Sequence, residues 1–324
     1  MEQNMTEQMT AQNGGRENQE QILREKLRQI LPEEGLRENE PMSRHTTFRA
    51  GGPADFFAEP QSADQLSAVI RVCKENDVPF AVLGNGSNLL VGDLGYRGVI
   101  ISIGKAFARI TVTENRIYAG AGALLASVAR KALENGLTGL EFAGGIPGSI
   151  GGAVVMNAGA YGSEMKDVMT SATVLTPEGE VVTIPAENLE LGYRTSCILK
   201  CGYVVLGAEF VLEKGNPENI REKMEELAGK RREKQPLEYP SAGSTFKRPE
   251  GDFAGRLIEA AGLRGFRVGD AQVSEKHCGF VINRGEASSA DILTLCRQVQ
   301  EKVKEESGVQ LELEVKFLGE FSVR

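Results

Sequence analysis

The stretch SAGSTFKRP, from Ser241 to Pro249, contains a small hydroxyl that could move a proton. Ser244 follows Ala-Gly and precedes a phenylalanine and two cations. The only histidines, His45 and His277, lie far from it along the chain, so the sequence shows no local hydrolytic triad. Two interpretations remain open: Ser244 donates a proton in a reaction, or it is a structural serine in a glycine-containing turn.

A cation and a carboxylate are the next candidates. In GYRTS, Arg194 follows a tyrosine within an otherwise apolar stretch. A buried arginine is costly unless an anion pairs with it, which indicates either a protein carboxylate or a substrate carboxylate. In LELEVKF, Glu312, Glu314 and Lys316 alternate with apolar residues and share one face of a predicted strand. A half-solvated edge strand has the same pattern, so periodicity leaves the role of the carboxylates open.

Two glycine-rich stretches follow apolar segments: LGNGSNLLV, from Leu83 to Val91, and AGGIPGSIGG, from Ala143 to Gly152. Neither has the Gly-Lys-Ser/Thr of a P-loop, and neither has GxGxxG at the head of a helix. Backbone N–H groups without side chains around them can bind an anion such as a pyrophosphate. Tight turns between strands are the alternative for each stretch, but the two together favour ligand binding.

A mixture of helices and strands must position these residues. A capping box of Ser62 and Gln65 predicts the start of one helix. Periodicity predicts five more, at Gln21 to Leu31, Leu124 to Glu134, Asn216 to Lys234, Phe253 to Ala261 and Ser289 to Glu306. Single strands are predicted at Val78 to Leu83, Tyr203 to Leu212, Cys278 to Ile282 and Val309 to Leu318. Strand-like segments with turns are predicted from Gly98 to Ala119, with a turn at Glu114 and Asn115, and around a second turn at Pro177 to Gly179. The sequence therefore predicts an α+β protein, with a domain boundary near the charged helix that begins at Asn216.

The composition argues against several classes of function. A net charge of −8 over 324 residues makes a nucleic-acid partner a poor choice. The first twenty residues lack the apolar segment of a secretory signal, and no apolar run elsewhere reaches membrane-spanning length. The five cysteines contain no CxxC pair, and with two histidines a zinc site would be short of ligands. We therefore expect a cytoplasmic protein with reduced thiols, no metal, no membrane contact and small-molecule partners.

Eight motifs, taken in order, resemble those of the UDP-N-acetylenolpyruvoylglucosamine reductase family, flavoenzymes that complete UDP-N-acetylmuramate in bacterial peptidoglycan synthesis. They run from about Arg44 to Gly319: HTTFRAGGPADFF, VLGNGSNLLV, GLEFAGGIPGSIGGAVVMNAGAYG, GYRTS, KQP, AGSTFKRP, GFRVGDAQVSEKHCGFVIN and LELEVKFLG. The resemblance implies a two-lobed FAD-binding unit of the vanillyl-alcohol-oxidase type and a smaller α+β substrate-binding domain. We expect a disordered polar tail over residues 1–20, the two lobes over 21–97 and 98–215, and the substrate-binding domain over 216–324, whose last strand returns Glu314 to the flavin.

The resemblance also implies a reaction and roles for three residues. NADPH first reduces FAD, and hydride then passes to the methylene carbon of the enolpyruvyl ether. Ser244 resembles the general acid that protonates the other carbon, while Arg194 and Glu314 resemble the groups that stabilise the enol intermediate. For that role Glu314 has to be protonated or hydrogen-bonded. Glu312 is the alternative carboxylate if the register of the last strand differs.

Binding residues follow from the same resemblance. Tyr193, Lys234 and Arg248 match substrate-binding positions, and His277 is a looser match. FAD is expected to bind non-covalently. Any side chain in place of a glycine of the second stretch would keep the cofactor from approaching the backbone. The expected cofactor-binding residues are Gly84, Asn85, Gly86, Ser87, Asn88, Gly144, Gly145, Ile146, Pro147, Gly148, Ser149, Gly151, Gly152, Asn157 and Gly159.

The chain resembles the shorter type within this family. Only fifty positions separate Arg194 from Ser244, too few for an extra loop whose tyrosine closes over the substrate in another branch. We expect a monomer, although the sequence does not settle the oligomeric state. Two alternatives remain: another FAD-dependent oxidoreductase of the same fold that acts on a different sugar or hydroxy acid, and a non-catalytic nucleotide-binding module.

Overall fold

A computed structural model describes residues 19–322. The expected disordered tail lies outside the described residues, apart from residues 19 and 20, which already belong to the first helix. The helices are α1 at residues 19–30, α2 (Ala63–Glu75), α3 (Leu125–Glu134), α4 (Ile150–Val155), α5 (Pro217–Lys234), α6 (Ala254–Ala260) and α7 (Ser289–Ser307). The strands are β1 (Leu36–Pro41), β2 (Pro53–Ala58), β3 (Phe80–Leu83), β4 (Leu89–Val91), β5 (Tyr96–Ser102), β6 (Ile110–Thr113), β7 (Arg116–Gly120), β8 (Leu137–Thr138), β9 (Gly159–Ala160), β10 (Ser163–Glu164), β11 (Met169–Leu175), β12 (Val181–Pro185), β13 (Val204–Val211), β14 (Glu213–Lys214), β15 (Arg267–Val268), β16 (Ala271–Val273), β17 (Val281–Asn283) and β18 (Lys316–Leu318).

The first lobe is a four-stranded sheet in the order β1-β2-β5-β3. Strand β5 runs parallel to both β2 and β3, and its residues 98–101 are all buried, as is usual for parallel strands covered on two faces. Helix α2 begins where Ser62 accepts a hydrogen bond from the N–H of Gln65, which is one half of the predicted capping box; the Gln65 side chain accepts from the N–H of Gln61 and not from that of Ser62. Its buried residues recur at helical spacing, which packs α2 into the core of this lobe.

The second lobe is a five-stranded antiparallel sheet in the order β12-β11-β13-β7-β6. Both predicted hairpins are present, with Glu114 at φ 56° in one turn and Gly179 at φ 90° in the other. One continuous core joins this lobe to the first, since α3 and α4 pack their apolar sides into the same cluster. The two lobes therefore form the walls of a shared interior.

A third unit contains the three-stranded sheet β15-β16-β17 and the helices α6 and α7, and it has a hydrophobic core of its own. Phe48 and Leu90 from the first lobe also belong to this core. Asp93 fastens the unit to the first lobe, because its carboxylate accepts hydrogen bonds of 2.7 Å from the N–H groups of Ser289 and Ala290 at the start of α7.

Three expectations about boundaries need correction. The division between residues 97 and 98 falls inside β5, so the first lobe extends to Ser102. The division at residue 216 separates α5 from the second lobe, although α5 packs against α3 and the short helix Glu141–Gly145 there. The last strand was expected from Val309, but only Lys316–Leu318 form a strand, parallel to β4. Within residues 19–322, no helix is long and apolar enough to cross a membrane.

Candidate active site

An elongated cavity of about 460 Å³ lies between the two lobes, within the size range of small-molecule sites. Both glycine-rich stretches form its wall, together with β13 and the end of α5. Twelve of the residues expected to bind the cofactor line it: Gly84, Asn85, Gly86, Ser87, Asn88, Ile146, Pro147, Gly148, Ser149, Gly151, Gly152 and Gly159. The two stretches are thus brought to one site from positions sixty residues apart in the sequence.

The first glycine-rich stretch offers a group of unused backbone donors. Within the described chain, the N–H groups of residues 85–88 donate to no protein acceptor. The side chain of Asn85 donates to the carbonyl of Pro147 at 3.0 Å, which ties this loop to the second stretch. Gly86 has φ 62°, and a Cβ there would lie 1.9 Å from the carbonyl oxygen of His45, so only glycine fits. Successive free N–H groups beside a cavity can donate hydrogen bonds to an anion, as the pyrophosphate of FAD requires.

The glycines of the second stretch have two different functions. A Cβ at Gly148 or Gly152 would meet nothing closer than 3.5 Å and would extend into the cavity, as a cofactor-facing glycine should. A Cβ at Gly151 would instead press on Ala121 at 3.1 Å, and one at Gly145 would lie 3.0 Å from the Cδ of Arg231. The requirement for glycine at these last two positions therefore comes from packing within the protein.

Three expected cofactor residues do not line the cavity. Gly144 and Gly145 belong to the short helix Glu141–Gly145 that packs against α5. Asn157 is completely buried, and its side-chain amide donates to Glu164 at 2.8 Å and to the carbonyl of Gly192 at 3.1 Å. Asn157 supports the chain around Gly192 and is not exposed to a ligand.

A second cavity of about 510 Å³ adjoins the first on the side of the third unit. Three of the expected substrate residues line it: Tyr193, Arg248 and His277. Lys234 lines neither cavity and is exposed at the end of α5. Besides Arg194 the wall carries four cations, Arg248, Arg256, Arg264 and Lys276. Three of them are paired with protein carboxylates, Arg256 with Asp252, Arg264 with Glu259 and Lys276 with Glu238, while Arg248 has no carboxylate partner among the described residues. A wall rich in cations suits a ligand with negative charge.

The side chains of this second cavity hold one another in position. The phenol oxygen of Tyr193 accepts a hydrogen bond of 3.0 Å from the N–H of Arg248, and the Arg248 guanidinium stacks on the ring of Phe253 at 3.9 Å. Burial lowers the pKa of His277, with Arg264 acting in the same direction. Its Nδ1 accepts from the N–H of Gly279 at 3.1 Å, which assigns the proton of the neutral ring to Nε2.

Ser244, Arg194 and Glu314 line both cavities. The three residues come from three separate segments of the chain, and the fold brings them to the junction of the two spaces. A ligand in one cavity and a ligand in the other would therefore meet at these side chains.

Backbone pairing on both sides fixes the segment that carries Ser244. Its neighbour Thr245 donates its N–H to the carbonyl of Gly279 and accepts from the N–H of Val281 and of Glu314, each at 2.9 Å. Within the described residues, the Ser244 hydroxyl itself has no hydrogen-bond partner. It is therefore free to contact a ligand at the junction.

Arg194 lies in a tight turn closed by backbone hydrogen bonds between Gly192 and Thr195. Its φ of 55° is in the left-handed region, which is unfavourable for a long side chain and is concentrated at functional sites. The side chain donates through Nε to Glu314 at 2.8 Å and through Nη2 to the carbonyl of Gly159 at 3.2 Å. These two bonds orient the guanidinium toward the junction.

Glu314 is held from two directions. Its N–H donates to Thr245, and its carbonyl accepts a hydrogen bond of 3.3 Å from the side chain of Asn88 in the first glycine-rich stretch. Burial raises the pKa of the Glu314 carboxyl, and the neighbouring Arg194 only partly offsets that effect. The sequence expectation was that Glu314 is protonated or hydrogen-bonded: the hydrogen bond from Arg194 is present, and the raised pKa acts in favour of protonation.

Sequence reasoning missed several residues of the two cavities. The charged helix predicted from Asn216 to Lys234 supplied no expected cofactor residue, yet its Arg231 and the nearby Gln235 line the first cavity. Arg256, Arg264 and Lys276 line the second. Isolated cations in loops and on a charged helix give no periodic signal, so only the folded arrangement identifies them.

Comparisons with known proteins show the family of the chain. Residues 235–318 match the family described as UDP-N-acetylenolpyruvoylglucosamine reductase, C-terminal domain, and residues 54–185 match an FAD binding domain. A protein named UDP-N-acetylenolpyruvoylglucosamine reductase from Agathobacter rectalis is 59% identical over 303 residues, covering 90% of this chain and 96% of the relative. One of the same name from Clostridium novyi is 52% identical over 300 residues, covering 93% and 97%.

A solved structure is also similar. The crystal structure of UDP-N-acetylenolpyruvylglucosamine reductase from Thermus caldophilus superposes with a TM-score of 0.75 at 37% identity, covering 86% of this chain and 97% of that one. With the FAD binding domain matched by sequence, this confirms the predicted α+β fold with an FAD-binding unit.

Proposed function

The chain belongs to the UDP-N-acetylenolpyruvoylglucosamine reductase family, and on that premise we propose that Ser244, Arg194 and Glu314 form its catalytic centre. The enzyme is an FAD-dependent oxidoreductase that uses NADPH to convert UDP-N-acetylglucosamine enolpyruvate to UDP-N-acetylmuramate in peptidoglycan precursor synthesis. One observation carries the proposal: these three side chains are shared by the first cavity and the second cavity next to it.

FAD suits the first cavity. The free N–H groups of residues 85–88 would hold its pyrophosphate, and the open space in front of Gly148 and Gly152 admits the close approach of a ligand. Within the described chain, no histidine or cysteine lines this cavity, which supports non-covalent binding. When bound, the flavin supplies the hydride that it takes from NADPH.

The sugar nucleotide suits the second cavity. Its diphosphate and carboxylate are anionic, and Arg248 in the wall has no carboxylate partner among the described residues, while Arg256, Arg264 and Lys276 would be shared between a protein carboxylate and the ligand. Tyr193 and His277 contribute a phenol and a neutral imidazole for hydrogen bonds. We assign no substrate contact to Lys234, since it lines neither cavity, whereas Lys276 lines the second.

The three junction residues have distinct tasks in this proposal. Arg194 stabilises the negative charge that develops on the substrate carboxylate when hydride adds to the methylene carbon. Ser244, whose Oγ has no partner among the described residues, donates the proton that the adjacent carbon receives. Glu314 fixes the Arg194 guanidinium through the 2.8 Å hydrogen bond, and burial raises the pKa of its carboxyl, which makes it a better proton acceptor than an exposed glutamate.

Two half-reactions followed by the visible spectrum test this assignment. In the FAD-loaded enzyme without oxygen, NADPH should bleach the flavin absorbance, and the enolpyruvyl sugar nucleotide should restore it. In Ser244→Ala the bleaching should be unchanged, while recovery should slow by roughly a hundredfold or more.

Ser241→Ala is the matched control, because Ser241 lies in the same segment but lines neither cavity. Normal recovery in Ser244→Ala would remove the proton-donor role from Ser244. Bleaching without recovery in the wild type would show that the second cavity takes a different substrate.

We also propose that the enzyme works in the cytoplasm as a monomer. All five cysteines are free thiols, which is usual in a reducing compartment, and one chain supplies every residue of the junction. Light scattering during gel filtration would contradict the second point if it gave the mass of a dimer.

A further inference from the structure

A cation without a counter-charge lines the first cavity. Arg231 lies in the last turn of α5, half-buried, with its stem against Gly145. Among the described residues its guanidinium has neither an ion pair nor a hydrogen bond, whereas the preceding Lys230 is paired with Glu226. A half-buried guanidinium without a partner is costly, so a ligand of the cavity is expected to supply an oxygen that accepts from it.

An unpaired acceptor lies one helical turn away. Gln235 follows Arg231 by four positions, and its N–H donates to the Arg231 carbonyl at 2.9 Å, which keeps both residues on one side of α5. Gln235 lines the same cavity, and its side-chain oxygen is buried without a hydrogen-bond partner. A buried acceptor of this kind indicates a missing donor.

We propose that Arg231 and Gln235 together recognise the pyrimidine edge of the flavin ring. That edge carries a carbonyl, which accepts from a guanidinium, beside an N–H group, which donates to an amide oxygen. A pyrophosphate offers acceptors only and would leave the Gln235 oxygen unpaired, and the free N–H groups of residues 85–88 already suit it. This inference depends on FAD occupying the first cavity.

The position of Arg231 has a consequence for redox chemistry. Negative charge develops on the pyrimidine edge when the flavin accepts a hydride, and a nearby guanidinium stabilises that charge. Burial lowers the pKa of Arg231, with Tyr161 acting in the opposite direction, but a guanidinium remains charged at neutral pH. Arg231 therefore raises the reduction potential of the bound flavin and favours its reduction by NADPH.

The test is the flavin potential of the FAD-loaded enzyme, titrated without oxygen against a reference dye, together with the dissociation constant of oxidised FAD. Arg231→Met should weaken binding of reduced FAD roughly tenfold more than binding of oxidised FAD, which lowers the potential by about 30 mV for a two-electron couple. Arg231→Lys should recover part of this shift. Gln235→Leu should weaken both redox states equally, because the N–H group is present in both.

Arg232→Met is the control, since Arg232 is the exposed neighbour in the same helix. Equal weakening of oxidised and reduced FAD in Arg231→Met would overturn the proposal in favour of a contact with pyrophosphate or adenine. Unchanged affinity and potential would overturn it as well. If Arg231→Met does not fold, the potential of Arg231→Lys decides, because a displaced charge must still alter it. The sugar nucleotide is absent from these measurements, so failure of the proposed reaction would not affect them.

Discussion

Two carboxylates two positions apart, Glu312 and Glu314, have opposite surroundings. Each is paired with a cation, Glu312 with Lys247 at 2.9 Å and Glu314 with Arg194 at 2.8 Å. The Glu312 side chain is 71% exposed and Lys247 lowers its pKa, whereas the Glu314 side chain is 12% exposed and burial raises its pKa. Burial, rather than the presence of a partner, decides what the same side chain can do.

The difference arises from what covers each position. Both residues lie on the segment that pairs with Thr245 to Lys247 through an isolated bridge between Phe246 and Leu313. The turn that carries Arg194 and the loop that carries Asn88 cover Glu314, while Glu312 remains at the rim. An ion pair in water contributes little, but the same pair between two ligand cavities can act on a reacting group.

The largest expected effect comes from removing each carboxylate in turn. Glu314→Gln should slow recovery of the flavin absorbance by the sugar nucleotide roughly a hundredfold, because a neutral amide replaces the titratable carboxyl that orients Arg194. Glu312→Gln should leave the rate almost unchanged, since Glu312 lines neither cavity. Stopped-flow single turnovers of NADPH-reduced enzyme measure both, and equal rates for the two variants would contradict the assignment of Glu314.

Exchanging the cations should give the next largest effect. Arg194→Lys keeps the charge, but an ammonium group cannot reproduce the planar donors that reach Glu314 and the carbonyl of Gly159. We expect a loss of roughly tenfold to a hundredfold in kcat/KM for the sugar nucleotide. Lys247→Arg, the matched exchange at the exposed pair, should be neutral. Steady-state kinetics with both variants would refute the comparison if Lys247→Arg were the more damaging.

The two carboxylates should also change stability with pH in opposite directions. The raised pKa of Glu314 stabilises the folded protein fully below the pKa of the unfolded chain, near 4.5, and this stabilisation is lost as pH rises through the pKa in the folded protein. The lowered pKa of Glu312 stabilises the folded protein above pH 4.5, and this stabilisation is lost as pH falls through its pKa in the folded protein.

Urea unfolding at a series of pH values measures this difference. Wild type should lose stability relative to Glu314→Gln as pH rises above about 4.5, and should lose its advantage over Glu312→Gln as pH falls below that value. Slopes of the same sign for the two variants would show that burial does not separate the carboxylates.

The smallest effect is expected at the exposed pair itself. Lys247→Ala should lower the free energy of unfolding only slightly, because water solvates Glu312 when its partner is removed. A double-mutant cycle of Lys247 and Glu312 at low and high salt checks this. A coupling energy that persists at high salt would mean that this pair is buried in solution.

Much of the fold was predictable from the sequence because its signals are local. The Ser62 cap, the helical spacing of apolar residues and the hairpin turns each act within a few positions, and the structure contains these elements nearly where they were expected. The parallel pairing of β2, β3 and β5 was not predicted, since it joins residues distant in the chain. The expected strand from Val309 was too long, because pairing with β4 begins only at Lys316.

The site was predictable where motifs resembled a family and less so where burial decided. Gly144, Gly145 and Asn157 lie within the expected motifs, but they do not face the cavity. The two glycines pack against other side chains, and Asn157 is completely buried. Lys234 was favoured and Arg231 was not, although both are cations of one charged helix. Which of them faces the cavity depends on how α5 is rotated against the second lobe.

The sequence by itself determined the elements, the family and the alternation that directs Glu312 and Glu314 to one face. Only the tertiary structure decided which of the two is covered, because burial depends on segments that are distant in sequence and close in space. The same holds for Ser244 and Arg194, which became a site when the fold brought them to the junction of two cavities. Residue type fixes what a group can donate or accept, and the packing around it fixes its charge, its partners and its access to a ligand.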